Sequence, residues 1–244
     1  MKIIYDKHGI KIKKNNNNYL FEFTHYKYRN SYIKSLFDGL KIIKDEVSDN
    51  KKIRTVEIKA YSVELMSDLL KVKEKMMSYY HLKLLLLHGK KLLKSLTKDN
   101  IGVTHFNIDD FIIVNTEKTR KDSKFMFLNQ DKFIELVNGN LEIDTVFNKK
   151  SMFLAPELLE IKSLPTTIPN KTSMFSLGLM MCYCLDSFDK KEFNTNDLKR
   201  LDNKEGKFSL MIKKHLESIV NSKLYWAMLR ILEINPDERY LLWI

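Results

Sequence analysis

Hydrophobic residues follow a strand-like spacing in the first part of this sequence and a helical spacing in the rest, and this change constrains the fold more than any other feature. Up to residue 61, short segments alternate apolar and polar residues or are rich in aromatics, which is typical of β-strands. These segments are residues 2–5, 10–13, 19–23 and 53–61. The asparagine run between the second and the third predicts a β-hairpin. Beyond residue 62 the spacing becomes mainly helical, so the sequence predicts an α+β fold with a β-rich part, 1–61, and a mainly helical part, 62–244.

The predicted helices are recognised by apolar residues three and four positions apart. Residues 30–47 are predicted as one helix within the β-rich part, and residues 78–96 as a long central helix because its run 84–87 is wholly apolar. The remaining predicted helices are 63–70, 173–185, 208–220 and 225–234. Segments 111–114 and 124–128 predict a small hairpin. Gly102 predicts a turn, and the polar stretch before residue 173 predicts a loop. The charged stretch 186–207 predicts a loop, with one short helix within it as the alternative.

Composition narrows the class of protein. A chain of 244 residues with 44% hydrophobic residues can bury a sizeable core, as one large domain or two small lobes that share an interface. The two cysteines, Cys182 and Cys184, are too close to staple a fold and predict buried thiols in a reducing compartment. The N-terminal residues have no secretory pattern, and no stretch of about eighteen apolar residues occurs. We therefore expect an intracellular protein, cytoplasmic or nuclear, with no membrane partner.

Four short motifs follow one another in the helical part: residues 101–105 directly after the long helix, then 155–157, 173–178 and 235–239. Their order and spacing resemble the C-lobe of the eukaryotic protein-kinase family. The first is similar to the start of the catalytic loop, the second to the Ala-Pro-Glu motif, the third to the D-x-W-S-L-G start of a buried helix, and the fourth to the terminal element with its arginine. The landmark residues are His105, Ala155, Pro156, Glu157, Ser176, Gly178 and Arg239.

The resemblance implies a bilobal kinase-like fold and one particular ion pair. In the family, the glutamate of the Ala-Pro-Glu motif pairs with the late arginine in a buried site, which implies Glu157 with Arg239 here. A guanidinium group suits this task because its fork of N–H donors can bind a carboxylate through two parallel hydrogen bonds. The pair would hold the fold together and take no part in chemistry.

The catalytic positions differ from the family pattern. With His105 aligned on the family histidine, Phe106 stands at the arginine, Asn107 at the catalytic aspartate, Asp109 at the lysine and Ile112 at the metal-holding asparagine. Phosphoryl transfer needs a carboxylate base and oxygen ligands for magnesium. Asn107 cannot act as a base, and Ile112 has no atom that could bind a metal. The resemblance therefore predicts no catalytic residue, no metal and no cofactor.

The magnesium-binding aspartate of the family falls on Phe127, directly after the segment 124–126. Asp131 lies four residues further and could replace it only if this loop were rebuilt; the alternative is an aspartate that faces water. Glycine-rich loops of the form G-x-G-x-x-G are absent, since Gly9 and Gly39 are the only glycines before residue 89. Nucleotide clamping by such a loop has no support in the sequence, and residual nucleotide binding stays open.

The β-rich part offers one alternative alignment. Residues 56–59 resemble the V-A-I-K strand, with Lys59 at the phosphate-contacting lysine and Glu64 or Glu74 as its partner. Too few residues separate Lys59 from His105 for this alignment. We therefore interpret 53–61 as the strand that leads into the hinge and 30–47 as the regulatory helix, on which Glu46 is the one available glutamate. The N-lobe is then expected to be abbreviated.

Several of these residues have a simpler interpretation. His105 can be a general base, but in the family this histidine packs beneath the catalytic loop. Asp109 and Asp110 can hold a cation together, but adjacent loop aspartates usually face water.

Three functional hypotheses follow from the sequence. The first is a pseudokinase: a catalytically inactive kinase-like protein that acts through protein–protein contacts, as a scaffold or as an allosteric regulator of an active kinase or another enzyme. The second is a divergent active Ser/Thr kinase that uses relocated acids, with Asp109, Asp110 and Asp131 as candidates. The third is a nucleic-acid-binding module, which only the net charge of +11 suggests. The lysines are dispersed along the chain, which weakens this hypothesis. A homodimer through the N-lobe stays open, without a specific sequence signal.

Overall fold

The fold is mixed α+β with antiparallel sheets. The computed structural model describes residues 1–24, 30–48, 53–73, 77–149, 151–185 and 205–242. Most of the predicted loop 186–207 lies outside these residues. Among the described residues, no helix combines the length and the apolar character needed to cross a lipid bilayer.

A five-stranded sheet forms the N-terminal part. Its strands are β1 (Lys2–Lys7), β2 (Ile10–Asn15), β3 (Asn18–Phe23), β4 (Ile42–Ser48) and β5 (Ile53–Lys59). The order in the sheet is β1-β2-β3-β5-β4, with β4 at one edge. The predicted hairpin is present as β2 and β3, which a tight turn at Asn16-Asn17 connects, and a second tight turn at His8-Gly9 connects β1 to β2. His8, Gly9 and Asn16 have positive φ angles, as such two-residue turns require. The buried face of the sheet contains Tyr19, Phe21, Phe23, Val56 and Ile58.

The predicted helix 30–47 is wrong in its second half. Helix α1 (Asn30–Phe37) ends before Gly39, which has a φ of 79°, and the chain then forms strand β4. A glycine in the left-handed region is a common helix terminator because it has no Cβ to oppose that conformation. Glu46 therefore lies on an exposed edge strand, where it contacts Lys44 at 2.8 Å, and not on the helix. The sheet has five strands, because β4 adds to the four strand segments predicted up to residue 61.

The chain continues through β6 (Ser62–Leu65), helix α2 (Met66–Lys73) and helix α3 (Tyr79–Lys98). The predicted helix 63–70 is thus strand in its first part, because β6 pairs with β8 (Phe111–Asn115). Helix α3 is the predicted long helix. The Ser78 side chain caps it by accepting a hydrogen bond from the backbone N–H of His81. Its buried side chains pack against α1 and against β9 (Ser123–Phe127).

The middle of the chain forms two smaller sheets. Strand β8 pairs with β9 as the predicted hairpin and with β6, in the order β6-β8-β9. The other sheet has the order β12-β11-β10-β7, with β7 (Ile101–Val103), β10 (Phe133–Val137), β11 (Asn140–Ile143) and β12 (Thr166–Pro169). Gly102 thus lies in a strand and not in a turn, and a Cβ there would approach Leu141 to 2.4 Å. Strand β12 lies in a segment predicted as loop.

The C-terminal helices are α4 (Pro156–Leu159), α5 (Thr172–Leu185), α6 (Glu205–His215) and α7 (Lys223–Ile231). Helix α5 is apolar on all sides, as its sequence predicts, and it packs against α3, α6 and α7. The predicted helix 208–220 ends at His215 and continues as a 3₁₀ turn, Glu217–Ile219. Both cysteines are buried thiols on α5, as predicted. One hydrophobic core extends from the five-stranded sheet to these helices, across the predicted boundary at residues 61 and 62.

Candidate functional site

The two loops that carry most of the predicted site residues lie side by side. One loop, 104–110, joins β7 to β8, and the other, 128–132, joins β9 to β10. The backbone N–H of Leu128 donates to the carbonyl oxygen of Asp110 at 2.8 Å, and that of Thr104 donates to the carbonyl oxygen of Lys132 at 3.1 Å. The structure therefore brings together residues that are 18 and 28 positions apart in the sequence.

His105 lies inside this pair of loops. Its ring is buried, with Nδ1 3.1 Å from Thr104 Oγ1 and Nε2 3.0 Å from Ser151 Oγ. Burial, with a smaller contribution from the charge of Lys132, lowers the pKa of His105 to about 3. The imidazole is therefore neutral near pH 7 and has hydrogen-bonding neighbours at both nitrogens. It occupies a packing position, with a hydroxyl group beside each ring nitrogen.

Asn107 is used as a helix cap. Its side-chain oxygen accepts a hydrogen bond of 2.8 Å from the backbone N–H of Ile108, at the start of the 3₁₀ turn Ile108–Asp110. An amide oxygen in this role stabilises the turn but cannot take up a proton from a hydroxyl group. The geometry thus gives the residue at the predicted catalytic-base position a structural task.

The two adjacent aspartates have different environments, and the expectation that both face water is wrong for one of them. Asp109 is exposed, whereas Asp110 is buried. Asp110 Oδ1 accepts from Asn129 Nδ2 at 2.7 Å, and Oδ2 accepts from Lys132 Nζ at 2.5 Å. Burial lowers the pKa of Lys132, and the carboxylate of Asp110 opposes this effect. A lysine ammonium group therefore lies where a cation held by Asp110 would be expected.

Apolar side chains surround the position that corresponds to the magnesium-binding aspartate of the family. Phe127, at the position of the metal-binding aspartate, is buried and lies 5.0 Å from the ring of Phe106 and 5.3 Å from that of Phe111, measured between centroids. Leu128 is also buried. Within the described residues, no three histidine, cysteine or acidic side chains are grouped so that they could hold a metal ion.

A cavity of about 350 Å³ remains between the five-stranded sheet and β6. Ile112, which is almost fully buried, faces it from β8, and Arg120 and Glu64 form an ion pair of 3.0 Å at its wall. The other lining residues are Ile4, Tyr5, Ile12, Val63, Leu65, Asp68 and Leu69. The lining is mainly apolar, and the guanidinium group of Arg120 is engaged by Glu64. Pockets of this size and character accept small molecules in many proteins.

The β1–β2 turn reaches the loop after β9, a contact that the sequence did not predict. His8 Nδ1 lies 2.6 Å from Asp131 Oδ2, although Asp131 is otherwise exposed. The Tyr5 hydroxyl is buried and has no hydrogen-bond partner among the described residues. Burial raises the pKa of Tyr5, and the carboxylates of Asp110 and Asp131 add to this effect. The β1–β2 turn thus contacts the loop 128–132.

The ion pair implied by the resemblance is present. Arg239 Nη1 donates to Glu157 Oε1, and Nη2 donates to Glu157 Oε2 at 3.1 Å. The guanidinium group is fully buried, donates to the carbonyl oxygens of Glu233 and Ile234 at 2.6 Å each, and lies 4.6 Å from the centre of the Phe175 ring. It joins α4 to the C-terminal segment.

The remaining landmark residues lie at contacts between elements. Ala155 precedes α4, and Pro156 occupies its first turn, where a missing N–H costs nothing. Ser176 Oγ on α5 accepts a hydrogen bond of 2.8 Å from the backbone N–H of Phe106, so it fixes the loop that follows His105. Gly178 lets α5 approach α7, since a Cβ there would lie 2.9 Å from Leu232.

In comparisons with known proteins, neither a protein-family model nor a curated protein sequence matches this chain.

Proposed function

We propose that this chain is a pseudokinase: a protein with a kinase-like bilobal fold that lacks phosphotransferase activity and acts through protein–protein contacts, as a scaffold or an allosteric regulator. The observation that carries the proposal is the composition of the two apposed loops. Phe127 and Phe106 stand at the positions that correspond to the magnesium-binding aspartate and the arginine of the family, and Lys132 neutralises Asp110. Phosphoryl transfer relies on a carboxylate base and on oxygen ligands for metal ions, and at the corresponding positions these loops carry Asn107 and Phe127.

The five-stranded sheet supports the same proposal. In protein kinases, a lysine on the third strand pairs with a glutamate on the helix that follows. Here β3 reads Asn-Tyr-Leu-Phe-Glu-Phe and carries no lysine, and α1 contains no acid. Lys59, the alternative lysine, lies on the fifth strand and is exposed. The place of α1 after the third strand fits the family arrangement, while both members of its ion pair are missing.

The frame supports the kinase-like part of the proposal. The Glu157 and Arg239 pair, and the hydrogen bond from Phe106 to Ser176, tie the motif segments to one another across long stretches of sequence. Such contacts stabilise a fold without any need for catalysis. A chain that has this frame but lacks the reactive groups is expected to act through its surface. The partner that we propose is an active kinase or another enzyme.

The divergent-kinase hypothesis needs relocated acids that are free to hold a metal ion or accept a proton, and two of its three candidates are engaged by other side chains. Asp109 faces solvent, Asp110 binds Lys132, and Asp131 contacts His8. Each carboxylate therefore points into a different environment.

The experiment is an assay of magnesium-ATP binding by thermal shift, together with phosphate transfer to generic protein acceptors and an active kinase as the positive control. We expect no transfer above background. Matched variants Asp109→Asn and Asp131→Asn separate a true activity from a contaminant. Transfer by the wild-type chain that either substitution abolishes, while circular dichroism shows the variant to be folded, would overturn the proposal.

A further inference from the structure

Strand β4 forms the outer edge of the five-stranded sheet and is exposed along its whole length. Its seven residues pair only with β5 on one side, and its other edge has no partner strand among the described residues. Ile42, Ile43 and Val47 are 44%, 49% and 50% exposed. An open edge presents unpaired N–H and C=O groups, to which another strand can add. Exposed β-branched residues on such an edge indicate a surface that another chain covers.

The sequence of this edge is complementary to itself. In an antiparallel pair of β4 strands with Asp45 opposite Asp45, Lys44 of each copy lies opposite Glu46 of the other. Residues directly opposite one another are on the same face, with Cβ atoms about 5 Å apart, so these side chains are in contact. The dimer would contain two ion pairs, related by the twofold axis.

The register places two carboxylates at the axis, and the structure already compensates them. Asp45 Oδ1 accepts from Arg54 Nε at 2.9 Å, and Oδ2 accepts from Arg54 Nη2 at 2.7 Å. This bidentate contact to β5 neutralises each aspartate within its own chain. Asp45 residues facing one another across the axis therefore do not oppose the pairing.

We propose that two copies of this chain associate by antiparallel pairing of their β4 edges around a twofold axis at Asp45, which joins the two five-stranded sheets into one continuous sheet. The irregularity in the pairing of β4 with β5 lies between Ile42 and Lys44, so Ile43 is outside the regular segment, while Lys44, Asp45 and Glu46, which form the contacts at the axis, are inside it. The proposal goes beyond the pseudokinase assignment and does not depend on it, because an active or an inactive protein can dimerise through this edge.

The test measures mass in solution for the full chain and for charge variants. Wild-type protein is studied by sedimentation equilibrium at concentrations up to the order of 100 μM, where even a small interface is populated. Lys44→Glu and Glu46→Lys each place like charges opposite one another twice per dimer. We expect each variant to dimerise roughly tenfold more weakly than the wild type. Lys2→Glu, the same charge change at an exposed site on the opposite edge strand, is the matched control and should dimerise like the wild type.

Mixing the two variants makes the test specific. In a mixed dimer, the glutamate introduced at position 44 of one chain faces the lysine introduced at position 46 of the other. The second pair consists of the two unchanged residues, Glu46 and Lys44, so both contacts become attractive again. Lys44 and Glu46 also contact one another within one chain at 2.8 Å, and mixing cannot repair that contact. Recovery of the dimer on mixing therefore reports the intermolecular pairs alone.

Each outcome decides the matter. A wild-type dimer that both substitutions weaken, and that mixing restores, supports β4 pairing in this register. A monomeric wild-type chain, or a dimer that both variants retain, overturns the proposal, as does failure of the mixture to recover. The double variant Lys44→Glu/Glu46→Lys exchanges the charges within one chain and should dimerise like the wild type, which guards against an effect on folding.

Discussion

Replacing Glu157 by glutamine tests how strongly the buried ion pair stabilises the fold. The substitution keeps the shape of the side chain and one oxygen acceptor, but it removes the negative charge that faces the Arg239 guanidinium group. Arg239 is fully buried and Glu157 is 13% exposed, so solvent cannot replace the lost partner. Breaking a buried ion pair by removing one member costs about 3–5 kcal/mol.

The expected loss lies at the lower end of that range because Arg239 keeps other partners. Its contacts with the carbonyl oxygens of Glu233 and Ile234 and with the ring of Phe175 remain after the substitution. We therefore expect Glu157→Gln to lower the free energy of unfolding by about 3 kcal/mol. At about 2–4 °C per kcal/mol for a chain of this size, the midpoint of thermal unfolding should fall by roughly 6–12 °C.

Urea denaturation followed by circular dichroism measures this change, with Glu142→Gln as the matched control. Glu142 is exposed on β11, so the same chemical change there should alter stability by less than about 0.5 kcal/mol. A double-mutant cycle with Arg239→Met then isolates the pair, and we expect a coupling energy of about 2 kcal/mol. A loss below about 1 kcal/mol for Glu157→Gln, or a coupling energy near zero, would refute the argument that this pair holds α4 to the C-terminal segment.

Three further predictions concern buried polar groups and close packing. Tyr5→Phe removes a buried hydroxyl without a hydrogen-bond partner among the described residues and should raise the free energy of unfolding by up to about 1 kcal/mol. Tyr32→Phe removes a 2.8 Å hydrogen bond to a backbone carbonyl and should lower the free energy of unfolding by about 1 kcal/mol. Urea denaturation of both variants measures these changes, and equal effects would contradict the prediction. The pKa of His105 is about 3 in the folded chain and about 6.5 in the unfolded chain, so the unfolded chain binds more protons below pH 6.5. The free energy of unfolding should therefore fall by about 2 kcal/mol between pH 7 and 5. His105→Gln should flatten this part of the pH profile, and an unchanged slope would contradict the prediction. Gly178→Ala places a Cβ 2.9 Å from Leu232 and should cost about 1–3 kcal/mol, measured by thermal unfolding; a neutral result would mean that α7 can shift away.

Much of the fold could be predicted from the sequence because the signals are local. The hairpin strands, α3, α5 and the β8–β9 hairpin each follow from the apolar pattern of one short segment. The main error, residues 30–47, arose because apolar spacing was followed through a terminator. Gly39 was the available signal, since a glycine inside a short helical pattern often marks its end. The strands β10 to β12 lack such a clear pattern, and their pairing partners in the chain decide their structure.

The contacts of the candidate site could likewise be predicted only in part. The pair of Glu157 and Arg239 was accessible through motif order, although 82 positions separate the two residues. The contacts of Lys132 with Asp110 and of His8 with Asp131 were not accessible, because no local pattern marks which charged side chains will meet across two loops. Burial of Asp110 depends on the position of the second loop, and tertiary structure alone fixes that position.

The contacts of the frame and the residues of the two apposed loops affect the stability of the fold in different ways. A catalytic site that gathers carboxylates for magnesium stores electrostatic repulsion and desolvation, which lower the stability of the fold until the ion and the nucleotide bind. Phe127 and Ile112 pack among apolar side chains instead, and pairing Asp110 with Lys132 avoids an uncompensated buried charge. In the frame, the attraction between Glu157 and Arg239 offsets the desolvation of the pair. If the chain is a pseudokinase, as we propose, stability alone would favour the loss of the catalytic groups and the retention of the frame contacts.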